Sequence, residues 1–278
     1  LWLSIPPGRM GTMALALSLL TTTLLCPATA TLRVGAFNIQ AFGDTKMSNE
    51  RVAGIIVNIL RRYDVVLVQE VRDSDLSAVT ELMEQLNSVS TSTYDYEISG
   101  PLGRDNYKEM YLFIYRTDTV SVVDTYQYED PQDVFSREPF ILKISVPHTK
   151  VEEFVLVPLH SAPHDAVAEI DALYDVYLAI VSKWGTDVSG TRGSTEGWAL
   201  SLRDHSAHAG SLLRGECGWG GSETHRPRLP GRIVVCGAKL KRSIVPNSAA
   251  IYNFQRAFQL EQEEALAVSD HYPVEVKL

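Results

Sequence analysis

Asp64-Val65-Val66-Leu67-Val68-Gln69-Glu70 is the stretch that decides the fold. Its apolar run is continuous rather than alternating, which marks a strand buried on both faces. Such a strand needs cover above and below. Ser48 to Arg62 spaces Val52, Ile55, Ile56, Ile59 and Leu60 as one helical face, with Ser48 as the expected N-cap. Leu76 to Leu86 reads as a second amphipathic helix. Leu32 to Ile39 reads as a strand, and Tyr94 to Ile98, Glu109 to Tyr115 and Val120 to Tyr128 read as three strands of a meander. Further strands are expected at Phe140 to Val146, Phe154 to Leu159, Ile233 to Val235 and Pro273 to Val276. Val167 to Trp184 reads as a long helix, with Ile170, Leu173, Tyr174, Tyr177 and Leu178 on one face. Strands and helices mixed in this way predict an α/β sandwich of packed sheets covered by helices.

The chain has 278 residues and is 45% hydrophobic, which fits one large domain or at most two. Its net charge of −9 excludes a general attraction to nucleic acid, so any DNA contact must be local or bridged by metal. Lys239-Leu240-Lys241-Arg242 is too short to be a nucleic-acid footprint. Residues 1–30 read as a signal peptide, starting at Met10 or Met13. Ala14 to Leu25 is its apolar region and Ala28-Thr29-Ala30 its cleavage site. A buried helix is the alternative. No second apolar run reaches membrane-spanning length. A secreted single domain over residues 31–278 is expected, working as a monomer. Cys26 would leave with the signal, and Cys217 and Cys236 could pair without constraining the fold.

Val188 to Gly231 breaks the pattern. It contains no Ile, Phe, Tyr, Met, Lys, Asn or Gln, and no strand or helix can be drawn in it. A structureless loop of that length inside a compact domain is unusual. It reads either as a disordered insert or as replaced coding sequence, from a gene-model error, a retained intron or a frameshift.

Several residues at strand ends could carry chemistry. Glu70 closes the buried run, where α/β sheets bind ligands, and could hold Mg²⁺ or Ca²⁺. The bland reading is a solvated strand-end acid. Arg72 could pair with Glu70 or touch phosphate. Glu109 could orient a histidine or bind metal, or be a plain strand-start residue. His160 closes a strand and faces a loop, a better place for proton transfer than a core, although lone histidines are more often structural. His164 reads as a surface loop residue. Asn38 could position a phosphate or a carboxylate, and Arg137 could bind phosphate or pair with Glu138. Ser269-Asp270-His271 sets a carboxylate beside an imidazole near the end of the chain. His205 and His208 have metal-like spacing but no supporting ligands, and with His225 they lie in the aberrant stretch. Together these residues suit metal-assisted phosphodiester hydrolysis, which needs a cation, a base for water and an acid for the leaving oxygen.

Longer motifs carry a resemblance. They are Leu32-Arg-Val-Gly-Ala-Phe-Asn-Ile-Gln40, Leu67-Val-Gln-Glu-Val-Arg-Asp73, Pro101-Leu-Gly-Arg-Asp-Asn-Tyr-Lys-Glu109, Phe135-Ser-Arg-Glu-Pro139, Pro158-Leu-His-Ser-Ala-Pro163, Ala168-Glu-Ile-Asp-Ala-Leu-Tyr-Asp-Val-Tyr177 and Ser269-Asp-His-Tyr-Pro-Val-Glu275. They resemble the deoxyribonuclease I family over Leu32 to Asp187 and Arg232 to Leu278. Tyr126 to Phe135, which lacks the family's small cysteine loop, and Ala238 to Ser243 look more like its like-2 branch. The resemblance implies a four-layer α/β sandwich of two packed, mainly antiparallel or mixed sheets flanked by helices. It implies a secreted endonuclease that needs Ca²⁺ and Mg²⁺, with Mn²⁺ as a substitute, and leaves 5′-phosphates on DNA. It assigns Glu109 and His160 as an acid–base pair and His271 as the second histidine. Glu70, Asp270 and Asn38 fall to the metal side. Arg72, Tyr107 and Arg137 become DNA contacts. Actin is a candidate partner with no residue in its support.

The chain also departs from that family. The family's Gly-Asp-Phe-Asn-Ala motif has no counterpart from Val188 onward. Its Tyr-Asp-Arg-Ile segment, whose Asp partners the second histidine, reads Pro230-Gly231-Arg232-Ile233 here. The match resumes abruptly at Arg232, which favours replaced coding sequence. Three readings follow. The first is an active secreted deoxyribonuclease. The second is an impaired relative that binds DNA or protein. The third is another enzyme of the superfamily, such as a sphingomyelinase or an abasic-site endonuclease, against which the motifs argue.

Overall fold

The computed structural model describes residues 31–104, 106–147, 149–162, 164–185, 198–203, 217–220 and 231–278. The expected signal peptide lies outside them, as do His205, His208 and His225. The described elements run β1 (Arg33–Phe42), α1 (Asp44–Met47), α2 (Glu50–Leu60), β2 (Val65–Val71), α3 (Ser77–Val89), β3 (Tyr94–Ile98), β4 (Met110–Arg116), β5 (Ser121–Gln127), β6 (Phe140–Ser145), β7 (Glu153–His160) and α4 (Ala166–Trp184). They continue β8 (Trp198–Arg203), β9 (Cys217–Gly220), β10 (Gly231–Cys236), α5 (Ala238–Ser243), β11 (Ala250–Ile251), α6 (Phe254–Ala257), α7 (Gln262–Val268) and β12 (Val274–Lys277).

Two six-stranded sheets form, in the orders β11-β12-β1-β2-β4-β3 and β5-β6-β7-β8-β10-β9. β1–β2 and β7–β8 are parallel and the other named pairings antiparallel. Strand parity then builds the layers, because successive side chains point to opposite faces. Val34 and Ala36 of β1, Val65 and Leu67 of β2, and Phe154 and Leu156 of β7 fill the core between the sheets. Phe37, Ile39, Val66 and Val68 face α2, α3, α6 and α7 instead. Val155, Val157 and Leu159 face α4. Helix, sheet, sheet and helix give four layers, as expected. All seven residues of β2 are buried, so the Val65 to Val68 run belongs to a strand covered on both faces.

Four expectations need correction. β3 and β4 pair in the first sheet, whereas β5 pairs with β6 in the second, so no three-strand meander forms. A hairpin pattern and a crossover between sheets look alike along the chain. The N-cap of α2 is Asn49, whose Oδ1 accepts from the amides of Arg51 and Val52 at 3.2 Å; Ser48 instead ends α1. The buried face of α4 is Ala166, Glu169, Ile170, Leu173, Val176 and Ile180, while Tyr174 and Leu178 lie on an exposed neighbouring stripe with Val167. Finally, Val188 to Gly231 is not strandless. β8 runs parallel to β7, β9 pairs with β10, and Cys217 and Cys236 are register partners. The period-two order of Trp198, Leu200 and Leu202 was hidden by the Gly, Ser and Arg content around it.

Candidate active site

The site forms where strand ends of the two sheets meet. Parity alone points Asn38, Glu109 and His160 into the space between the sheets, in line with Ala36, Tyr111 and Leu156. Glu70 should point the other way, like Val66 and Val68. It does not, because β2 bulges there: the registers of β2 against both β1 and β4 slip just before Val71, and Glu70 has φ +60. A left-handed glutamate is strained, and the bulge turns it towards the inter-sheet side. Gln69 Nε2 still donates to the Leu159 carbonyl at 3.1 Å, so consecutive residues of β2 both reach the end of β7.

There Glu70 Oε1 accepts from Asn38 Nδ2 at 2.7 Å and lies 3.5 Å from His160 Nε2, while Oε2 accepts from the Ala41 amide at 3.3 Å. His160 Nδ1 lies 2.9 Å from Glu109 Oε2, within hydrogen-bond distance in the tautomer that carries its proton on Nδ1. Arg137 Nη2 donates to Glu109 Oε1 at 3.1 Å and Nη1 to the His160 carbonyl at 3.3 Å. Arg137 Nε is 2.6 Å from Glu109 Oε2, an ion contact whose N–H is not aligned as a hydrogen bond. Arg137 thus pairs with Glu109, not Glu138. The Tyr111 hydroxyl accepts from the His160 amide at 2.9 Å and is itself held protonated by complete burial, far above the usual phenol range.

Glu70, Glu109 and His160 bring candidate ligand atoms within 4.8 Å of one another. Asn38 Oδ1 is buried without a hydrogen-bond partner beside them. An amide oxygen next to carboxylate oxygens is the donor set a hard cation takes, so these residues fit Mg²⁺ or Ca²⁺.

Ser269 joins the second histidine to this cluster. Its buried Oγ donates to the Asn38 carbonyl at 2.7 Å and accepts from the His271 amide at 3.0 Å. His271 Nδ1 lies 2.5 Å from Asp270 Oδ1. Between Glu70, Tyr107 and Asp270 opens a cleft of about 790 Å³, lined also by Gln40, Thr45 and Lys46. Arg72 stacks its guanidinium 3.8 Å above the Tyr107 ring and makes no pair with Glu70. His164 is exposed on its loop and pairs with Asp165 at 3.1 Å, as a surface residue should.

Sequence reasoning missed Lys46. Its Nζ donates to the carbonyls of Ala267 and Val268 at 2.9 and 2.8 Å, capping α7 just before Ser269. Burial lowers its pKa, against the carboxylates of Asp270 and Glu70, which raise it. No local pattern could have shown this, since lysine and helix end are 221 residues apart. Tyr111 was also missed, although its parity with Glu109 was legible.

Residues 35–188 match the Endonuclease/Exonuclease/phosphatase family. A deoxyribonuclease-1-like 2 of Mus musculus is 53% identical over 259 residues, covering 88% of this chain and 91% of the relative. A deoxyribonuclease-1 of Gallus gallus is 46% identical over 285 residues, covering 95% and 98%. Among solved structures, a humanized TDP2 of D. rerio aligns with a TM-score of 0.58 at 16% identity, over 89% of this chain and 98% of that one, which supports the fold alone. With matches this long and this high, the chain is a member of the deoxyribonuclease I family, within the wider endonuclease/exonuclease/phosphatase family.

Proposed function

We propose that the protein is a divalent-metal-dependent endonuclease that hydrolyses DNA phosphodiester bonds to 5′-phosphate products. The observation that carries this reading is the closed set Glu109–His160–Glu70, assembled from both sheets beside a cleft. Glu109, fixed by Arg137, keeps His160 in the tautomer that presents Nε2 as a base. His160 takes a proton from water as its oxygen bonds to phosphorus, and Glu109 stabilises the imidazolium. The bond to the 3′-oxygen breaks, and His271, paired with Asp270, supplies that oxygen's proton. Glu70 and Asn38, with Asp270 near them, would hold Mg²⁺, Ca²⁺ or Mn²⁺, which supplies charge neutralisation at the non-bridging oxygens. Tyr107, which lines the cleft, Arg72 stacked on its ring, and Arg137 contact the DNA backbone. Residues 1–30 act as a signal peptide, and the enzyme works as a secreted monomer.

The test is nicking of supercoiled plasmid by recombinant full-length protein with Mg²⁺ and Ca²⁺, with and without chelator. End analysis of the products should find 5′-phosphates. Folded protein that leaves the plasmid intact would sink the proposal and leave the impaired, DNA-binding relative.

A further inference from the structure

α4 buries a glutamate on its apolar face. Glu169 is fully buried among Ile170, Leu173 and Val176. A carboxylate there is costly unless its bonds hold something in place. Its Oε1 accepts from Ser136 Oγ at 2.7 Å and from the Ala162 amide at 3.1 Å. Ser136 adjoins Arg137 on the β5–β6 loop, and Ala162 follows His160 by two residues on the β7–α4 loop. One oxygen atom therefore ties the loop that carries Arg137 to the loop that follows His160, the two residues that converge on Glu109. Oε2 is buried with no hydrogen-bond partner among the described residues.

We infer that Glu169 is a positioning residue, holding the Ser136–Arg137 loop against the His160–Ala162 loop so that the Arg137–Glu109–His160 triad keeps its spacing. Glu169 touches none of the reacting groups itself. Burial raises its pKa, opposed by the bonds from Ser136 and Ala162 and assisted by the charge of Asp165. The inference rests on the endonuclease reading above, but it can be tested separately from it.

The experiment compares Glu169→Leu, Glu169→Gln and Ser136→Ala in the full chain by steady-state plasmid nicking, well below each melting temperature. Glu169→Leu removes both bonds, and displacement of about 1 Å near the chemistry can cost on the order of 10²-fold. The expected result is a kcat lowered by about tenfold or more with KM within about twofold, since positioning acts on the transition state. Glu169→Gln keeps Oε1 and should recover most of the loss, and Ser136→Ala should fall between. An unchanged kcat in Glu169→Leu, or equal losses in the Leu and Gln variants, overturns the inference. Should Glu169→Leu not fold, Ser136→Ala decides, and a parental kcat there overturns it. If the unaltered chain nicks nothing, the endonuclease reading has failed instead. Hydrogen exchange at the Ala162 amide then decides: faster exchange in Glu169→Leu supports the anchor, and unchanged exchange refutes it.

Discussion

His160 and His271 each hold a carboxylate at Nδ1, Glu109 at 2.9 Å and Asp270 at 2.5 Å, but the two pairs are built differently. Glu109 and His160 are 51 residues apart, come from different sheets and are both buried. Arg137 and the bulged Glu70 close the cluster around them. Asp270 and His271 are consecutive residues on one turn, and the Asp270 side chain keeps 38% of its exposure. The first pair exists only because two sheets pack face to face. The second is encoded in a dipeptide and anchored by one serine. A partner made by packing is shielded from water and cannot easily be replaced, whereas a partial replacement for an exposed one is water itself.

That difference can be broken by experiment. The largest effect is expected from His160→Ala, at about 10³-fold in kcat/KM, because a positioned general base contributes roughly 10²–10⁴-fold. Plasmid nicking measures it, and a loss under about tenfold would remove His160 from the chemistry. Glu109→Gln should approach the same loss, since it leaves Arg137 without its carboxylate charge.

Asp270→Asn should cost less, on the order of tenfold, because water reaches its site. Losses equal to those of Glu109→Gln would erase the contrast. A higher Mg²⁺ requirement at an unchanged maximal rate would assign Asp270 to cation binding rather than to His271.

Ser269→Ala should lower stability by about 1–3 kcal/mol, since it leaves the Asn38 carbonyl and the His271 amide without their buried partner. Urea unfolding reads this, and an unchanged midpoint would show the second pair to be self-supporting.

The smallest effect concerns pH. Glu169 has a raised folded pKa, from burial first, so its contribution is complete below the ordinary value of 4.5 and is lost as pH rises through the folded value. Glu169→Gln cannot titrate and should lose less stability over that window. Parallel urea midpoints for the two proteins across it would show that Glu169 titrates alike in the folded and unfolded chains.

Much of this was legible along the chain. The apolar run Val65 to Val68, the helical spacing around Ile55 to Leu60 and the Ser269-Asp270-His271 tripeptide are local, and local periodicity reports which faces will be buried. Asn38, Glu70, Glu109 and His160 could each be picked out as strand-end polar residues, though none compelled its role. The face of α4 was misjudged because Tyr174 and Leu178 are apolar in kind yet exposed in place. β8 was missed because a short strand in a Gly- and Ser-rich stretch carries little periodic signal.

Periodicity and residue type, read from the sequence by itself, determined the α/β class and the buried central strand, and its longer motifs pointed to the family and to the candidate side chains of the site. Only the tertiary structure decided which of them meet. It sent β5 to the second sheet, put the capping Lys46 on α7 and set the anchoring Glu169 beneath both loops. It also turned Glu70 against its strand's own parity, through a left-handed residue at a bulge. The physical reason is range: faces are set by neighbours three or four residues away, while these contacts join residues tens to hundreds apart and exist only once the layers have packed.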